Sequence, residues 1–188
     1  MAVENEVKVC VDSFSDVRKR LVRIKAKHVL TVRERNILYD TGAGELRRED
    51  MGLRLRDEVG ADDMSFRRVT LTVKGPTMKG VMKRRGEFEV RASCFKGAHE
   101  LLCAIGFHKA LVYEKVREMW ALGKTEVCLD TLPFGLYVEI EGEEKDVFST
   151  AKGMGFVRAQ FITLNYFDLA RKAGVRGDIL FDSAAGGV

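Results

Sequence analysis

Residues 2–11 read Ala2-Val3-Glu4-Asn5-Glu6-Val7-Lys8-Val9-Cys10-Val11, and the alternation in this stretch decides how the rest of the chain is read. Successive side chains of an extended strand point to opposite faces. Glu4, Glu6 and Lys8 therefore share one face, while Val3, Val7, Val9 and Val11 share the other with Asn5 among them. One side is a charged stripe and the other can pack against a core. Whether the stripe meets water or a ligand depends on the strands that follow.

The same construction recurs along the chain. Leu53 and Leu55 alternate with Arg54 and Arg56, and Arg85, Glu87 and Glu89 share a face of a strand over 83–90. Lys115 and Arg117 oppose Val112, Glu114 and Val116 in a strand over 110–122, and Glu139 and Glu141 oppose Val138 and Ile140 in a strand over 136–143. Strands are also predicted over 30–40, over 66–73 ending at Lys74-Gly75-Pro76, and over 125–131, which carries Asp130; Gly123-Lys124 is a hairpin turn. Helices are predicted after Ser13 as cap (Val17, Leu21 and Ile24 at helical spacing), over 96–105 with Gly106 as the stop, over 143–154, and over 163–173.

For any one of these strands, the ordinary reading is a solvated outer face on an antiparallel sheet. Two features of the set point the other way. Like charges stand two residues apart in Glu4/Glu6, Arg54/Arg56, Glu87/Glu89, Lys115/Arg117 and Glu139/Glu141, and such neighbours repel unless opposite charge lies between them. The inventory also balances: seven acids (Glu4, Glu6, Glu87, Glu89, Asp130, Glu139, Glu141) against seven bases (Lys8, Arg54, Arg56, Lys74, Arg85, Lys115, Arg117). A sheet closed into a barrel could hold these charges inside, with its apolar face outward under helices. Such a lumen offers carboxylate oxygens to Mg²⁺ or Mn²⁺ and guanidinium and ammonium groups to phosphate, the chemistry of a metal-chelated polyphosphate. No G-x-x-x-x-G-K-[ST] loop is present, which excludes a P-loop site.

Composition narrows the classes further. The 188 residues suit a single domain, and 46% hydrophobic with 32% charged residues describes a globular protein with a core. A net charge of +4 is too mild to indicate a nucleic-acid groove, so no nucleic-acid partner is expected. The four cysteines, Cys10, Cys94, Cys103 and Cys128, lack C-x-x-C spacing and read as reduced thiols; His99 and Cys103 fall i, i+4 on a helix face. His28, His99 and His108 lie outside the charged stripes and are expected to be structural or exposed. The N-terminus has no secretory pattern and no apolar run reaches the ~20 residues of a membrane span, so a cytoplasmic location without membrane association is expected. The chain after Gly174 has little to bury and is expected to be mobile: a single domain over 1–175, then a flexible tail over 176–188.

Glu4-Asn5-Glu6-Val7-Lys8 resembles the E-x-E-x-K signature of the CYTH proteins, also called triphosphate tunnel metalloenzymes. Leu38-Tyr39-Asp40-Thr41, Leu53-Arg54-Leu55-Arg56, Thr72-Val73-Lys74-Gly75-Pro76, Arg85-Gly86-Glu87-Phe88-Glu89, Tyr113-Glu114-Lys115-Val116-Arg117, Leu129-Asp130 and Glu139-Ile140-Glu141 resemble the family's later motifs, in its order, across about residues 1–170. The resemblance implies an α+β fold: an eight-stranded antiparallel β-barrel, the triphosphate tunnel, with flanking helices. It implies a triphosphate held by Lys8, Arg54, Arg56, Lys74, Arg85, Lys115 and Arg117, and two Mg²⁺ or Mn²⁺ ions drawn from Glu4, Glu6, Glu87, Glu89, Asp130, Glu139 and Glu141. Length, the Lys74-Gly75-Pro76 strand end and Ile105-Gly106-Phe107 are similar to the class IV adenylyl cyclase branch, which converts ATP to cyclic AMP and pyrophosphate. The alternatives are an inorganic or thiamine triphosphatase, or a module that binds polyphosphate without turnover. Lys8, Tyr39 and Lys74 are the expected catalytic residues, with Tyr39 and Lys74 positioning or deprotonating water in the triphosphatase case. Homodimers occur among relatives.

Overall fold

Glu6 pairs in register with Lys83 on one side and with Glu141 on the other, so the first strand lies inside a sheet that has no free edge around it. In this computed structural model the elements, in chain order, are β1 (Ala2–Val11), α1 (Ser15–Arg23), β2 (Lys27–Thr41), α2 (Glu45–Arg48), β3 (Gly52–Gly60), β4 (Arg67–Lys74) and β5 (Lys83–Arg91). They continue with α3 (Phe95–Ala104), β6 (Phe107–Leu122), β7 (Thr125–Leu132), β8 (Gly135–Glu141), α4 (Glu144–Gly153) and α5 (Tyr166–Lys172). The structure describes residues 2–78, 80 and 82–182, and of Ala2 and Glu4 the backbone alone. The eight strands close into an antiparallel barrel in the order β1-β5-β4-β3-β2-β6-β7-β8, the expected architecture.

The usual distribution of polarity is inverted. Val7 and Val9 of β1, Val127 and Leu129 of β7, and Val138 and Ile140 of β8 form a buried layer outside the barrel with Val17 and Leu21 of α1 and Val147 and Ala151 of α4. On the other side Leu102 of α3 packs against Ile37, Leu53, Leu55, Val69 and Val112. Each fully buried aliphatic side chain in these layers contributes ~1.5–3 kcal/mol, which offsets the cost of a charged interior. Asn5, the polar residue among the valines of β1, donates from its side-chain amide to the Gly142 carbonyl at 3.0 Å.

Local chemistry sets the helix ends. Ser13 is not the cap of α1: Phe14 holds that position without a side-chain bond, and the Ser13 hydroxyl instead accepts from the Ser15 amide at 3.2 Å. The helix is kept by Val17 and Leu21, buried one turn apart. Cys94 caps α3, its sulfur accepting from the Gly97 amide at 3.2 Å, and Gly106 at φ +96° ends it as expected.

Two strand edges left vacant inside the barrel are filled by the C-terminal segment. Ile162 bridges to Lys8 beyond the end of the β1–β5 pairing, and Ile179 bridges in parallel to Tyr113, where β7 no longer reaches β6. The expectation of little burial after Gly174 fails at Ile179, which is 1% exposed and packs with Leu111, Tyr113 and Ala170. The Asp178 carboxylate also accepts from the Val112 amide at 2.8 Å. Of the tail expected to be mobile, residues 183–188 lie outside the described residues.

Candidate functional site in the barrel lumen

Register places the lumen side chains in rows. Across β6, β2, β3 and β4 one row reads Lys115, Glu34, Glu58, Arg68; the next reads Tyr113, Asn36, Arg56, Thr70; the third, Leu111, Leu38, Arg54, Thr72, continues to Glu89 on β5. In the other half, Lys8 faces Glu139, Glu6 faces Glu141, and Arg117 faces Asp130. Most of these side chains border a cavity of about 1160 Å³; Glu34, Asn36, Thr70, Thr72 and Asp130 are outside its lining.

The innermost groups form one ionic network. The Lys8 ammonium lies 2.7 Å from Glu6 and 2.6 Å from Glu139, with 1% of its side chain exposed. Arg117 donates two bonds of 2.7 Å to Asp130 and a further one to Glu139, and Lys115 reaches Asp130 at 3.0 Å. Burial opposes the charge on Lys8, yet the Glu139 and Glu6 carboxylates outweigh it and hold the ammonium well above the usual lysine range. Glu139 is held well below the carboxylate range: burial acts upward, and Lys8 and then Arg117 overcome it.

Toward the mouth the pairing loosens. Arg54 lies 4.0 Å from Glu87 and 3.8 Å from Glu89, and donates to the Thr72 hydroxyl at 3.3 Å. Lys74 reaches Glu87 at 3.2 Å, and Arg85 pairs with Asp50. The Nε–H groups of Arg54 and Arg85 are buried without an acceptor. An orphaned buried donor costs ~1–3 kcal/mol, which an anion in the cavity would relieve.

The expected site residues therefore converge. Lys8, Arg54, Arg56, Lys74, Arg85, Glu6, Glu87, Glu89, Lys115, Arg117, Glu139 and Glu141 all line the cavity, and Asp130 lies behind them in the network. The side chain of Glu4 lies outside the described residues; its backbone pairs with Arg85. Tyr39 borders the cavity as well, but its hydroxyl is directed elsewhere. Plain alternation carries its ring, like the Ile37 side chain two residues earlier, into the outer layer with Leu102, and its hydroxyl sits 2.7 Å from His99 Nδ1 on α3. Burial and the nearby Cys103 thiol push its phenol up to about 12. The hydroxyl is thereby engaged by His99 on the outer face of the strand.

Several lumen residues were missed by pattern reading. Glu58 continues the period of Arg54 and Arg56, a signal that was available. Glu34 and Asn36 were masked because Arg33 and Arg35, on the opposite face, are charged too, so the alternation is blurred. Tyr166, on α5, carries no strand signal at all; its hydroxyl donates to Asp130 at 2.6 Å and its ring lies 4.5 Å from the Lys8 ammonium.

The donor set suits a hard cation in part. Among the described residues no three Asp, Glu, His or Cys converge on one point. Register does put Glu6 opposite Glu141, and Mg²⁺ characteristically takes one or two carboxylates and fills its octahedron with water and substrate phosphate oxygens. The residues therefore fit an ion that arrives with a phosphate ligand.

The CYTH domain model matches residues 2–152. A protein of Methanocaldococcus jannaschii, provisionally named an adenylate cyclase, is 26% identical over 146 residues, 77% of this chain and 79% of its own. A Vibrio parahaemolyticus structure, also provisionally titled an adenylate cyclase, superposes with a TM-score of 0.78 at 18% identity, covering 89% of this chain and 97% of that one. A Hippeastrum protein, titled as a provisional adenylyl cyclase with a dominant triphosphatase activity, gives 0.66 at 16% identity over 94% and 98%. The two structural likenesses bear on the fold.

Proposed function

Because the chain belongs to the CYTH domain family, whose enzymes act on triphosphates and use divalent metals, we propose that its lumen binds the triphosphate of ATP and cyclises it to cyclic AMP and pyrophosphate. The observation that carries the triphosphate reading is the pair of buried, acceptor-less guanidinium Nε–H groups on Arg54 and Arg85 beside Lys74. Arg54, Arg56, Lys74 and Arg85 would bind the phosphates nearer the mouth, and Lys8, Lys115 and Arg117 those deeper in. The preference for a nucleotide rests on Leu38, Met51, Phe88, Leu111 and Phe167, which give the same cavity an apolar border suited to a base. A divalent ion, Mg²⁺ or Mn²⁺, held by Glu6 and Glu141, would supply Lewis acidity to the phosphates when bound. The protein's groups orient the ribose 3′-hydroxyl toward the α-phosphorus; the O–P bond forms, pyrophosphate leaves, and the hydroxyl proton passes to solvent. The free cysteines fit a reducing, cytoplasmic setting, and among the described residues no helix is long and apolar enough to cross a membrane.

A second reading, hydrolysis of a terminal phosphate, is favoured by the activity named for the Hippeastrum protein. Incubation with ATP and Mn²⁺, and separately with tripolyphosphate, distinguishes the two. Cyclic AMP with stoichiometric pyrophosphate is expected; phosphate release without cyclic AMP would overturn the cyclase assignment in favour of hydrolysis.

A further inference from the structure

Glu34 stands apart from the other lumen carboxylates. Its side chain is fully sealed from solvent, and three cations surround it: Arg56 at 3.3 Å, Lys115 at 3.6 Å and Arg117 at 3.7 Å. Lys115 and Arg117 are beyond hydrogen-bond range, and the Arg56 Nε–H is turned to Asn36 instead. The direct bond it accepts is from the Asn36 amide, at 3.1 Å to Oε2; Oε1 is buried with no hydrogen-bond partner. The carboxylate is thus central electrostatically without fully occupying the donors around it. Arg117 and Lys115 place their hydrogen bonds on Asp130, and Arg56 donates to Asn36 Oδ1 at 3.0 Å.

Two consequences follow from that arrangement. Without Glu34, these three desolvated cations would keep Glu58, Asp130 and Glu139 as counter-charges and would repel one another more strongly. An anion held by those cations also feels the Glu34 charge, which lies within 3.7 Å of each of them although it does not itself border the cavity. Burial alone would raise the Glu34 pKa, but Arg56, then Lys115 and Arg117, outweigh it and favour the charged carboxylate.

Building on the triphosphate reading above, we propose that Glu34 is a fixed internal counter-ion: it keeps Arg56, Lys115 and Arg117 assembled before the ligand arrives and limits how tightly they hold the anionic product. It is a positioning residue, acting through those three cations. The role differs from that of a metal ligand, since cations already surround it, and from that of a general base, since its proton affinity is too low.

Calorimetric titration with inorganic pyrophosphate and with tripolyphosphate, each with Mg²⁺, tests this together with steady-state kinetics. Glu34→Gln keeps the shape and removes the charge; it is expected to bind pyrophosphate about tenfold tighter, with KM and kcat both lowered. Asn36→Asp adds a charge beside Glu34 and is expected to weaken pyrophosphate binding by a similar factor. Asp57→Asn, on the outer face of β3, is the control and leaves binding unchanged. Circular dichroism establishes that each variant is folded, and Asn36→Asp carries the test alone should Glu34→Gln not fold. Pyrophosphate affinity that is equal or weaker in Glu34→Gln, or equal or tighter in Asn36→Asp, overturns the counter-ion role. A wild-type protein that binds neither anion overturns the triphosphate reading itself.

Discussion

The Lys115 ammonium lies 3.0 Å from the Asp130 carboxylate on the neighbouring strand, and Asp130 is fully enclosed. The same carboxylate accepts two bonds from Arg117 and one from the Tyr166 hydroxyl. Asp130 therefore ties β6, β7 and α5 together. Replacing it with Asn leaves Lys115 and Arg117 partly uncompensated in a buried setting, and a loss of ~3–5 kcal/mol is expected. Chemical denaturation of Asp130→Asn against wild type measures it, and a loss below ~1 kcal/mol would contradict the tie.

Tyr39 gives the converse expectation. Its hydroxyl meets His99 outside the barrel, so Tyr39→Phe should keep triphosphate turnover within about twofold of wild type and cost ~1 kcal/mol of stability. A fall of a hundredfold in kcat with unchanged stability would return the residue to the catalytic group.

The four tyrosines should titrate apart. Burial raises Tyr39, Tyr137 and Tyr166, the last helped by the Asp130 charge. Tyr113 is buried as well, but Arg54, then Arg56 and Lys115, overcome that and bring its phenol below the usual value. Ultraviolet titration near 295 nm should show one phenolate forming early, absent in Tyr113→Phe and delayed when tripolyphosphate neutralises the cations.

The buried ion pairs also set an acid limit. Glu34 has a folded-state pKa well below its unfolded value of ~4.3, so its contribution is fully present above that value and is lost as pH falls toward the folded pKa. Lys8 has the opposite sign: its contribution is complete below the unfolded lysine value of ~10.4 and is lost as pH rises toward its raised folded pKa. Denaturant midpoints should be nearly flat between about pH 5 and 9 as far as these two groups are concerned, then drop below about pH 4. Glu34→Gln should flatten that acid slope.

The barrel was legible because β1, β3, β5, β6 and β8 each carry a like-charged pair on one face and mostly apolar residues on the other, a pattern that an enclosed charged surface reconciles with the repeated pairs. β2 was harder to read. Arg33, Glu34 and Arg35 put charge on both faces, so the lumen side of that strand cannot be told from its outer side by charge alone. The contribution of α5 was also hidden. A tyrosine in a short helix gives no sign that its ring will reach Lys8 until the chain is folded back over the barrel.

The closure of β1 has a kinetic side. Asn5 and Gly142, joined by a hydrogen bond, are 137 residues apart in the chain, and β1 meets β8 only at that distance. During synthesis, β2 to β5 can zip as successive hairpins while one edge of the first strand waits for a partner not yet made. Contacts of such separation slow folding, and an apolar strand held open in the interval is prone to pair with another chain. The charged stripe of Glu6 and Lys8 makes that misplaced pairing costly, so the groups proposed to serve the finished tunnel also protect the nascent one.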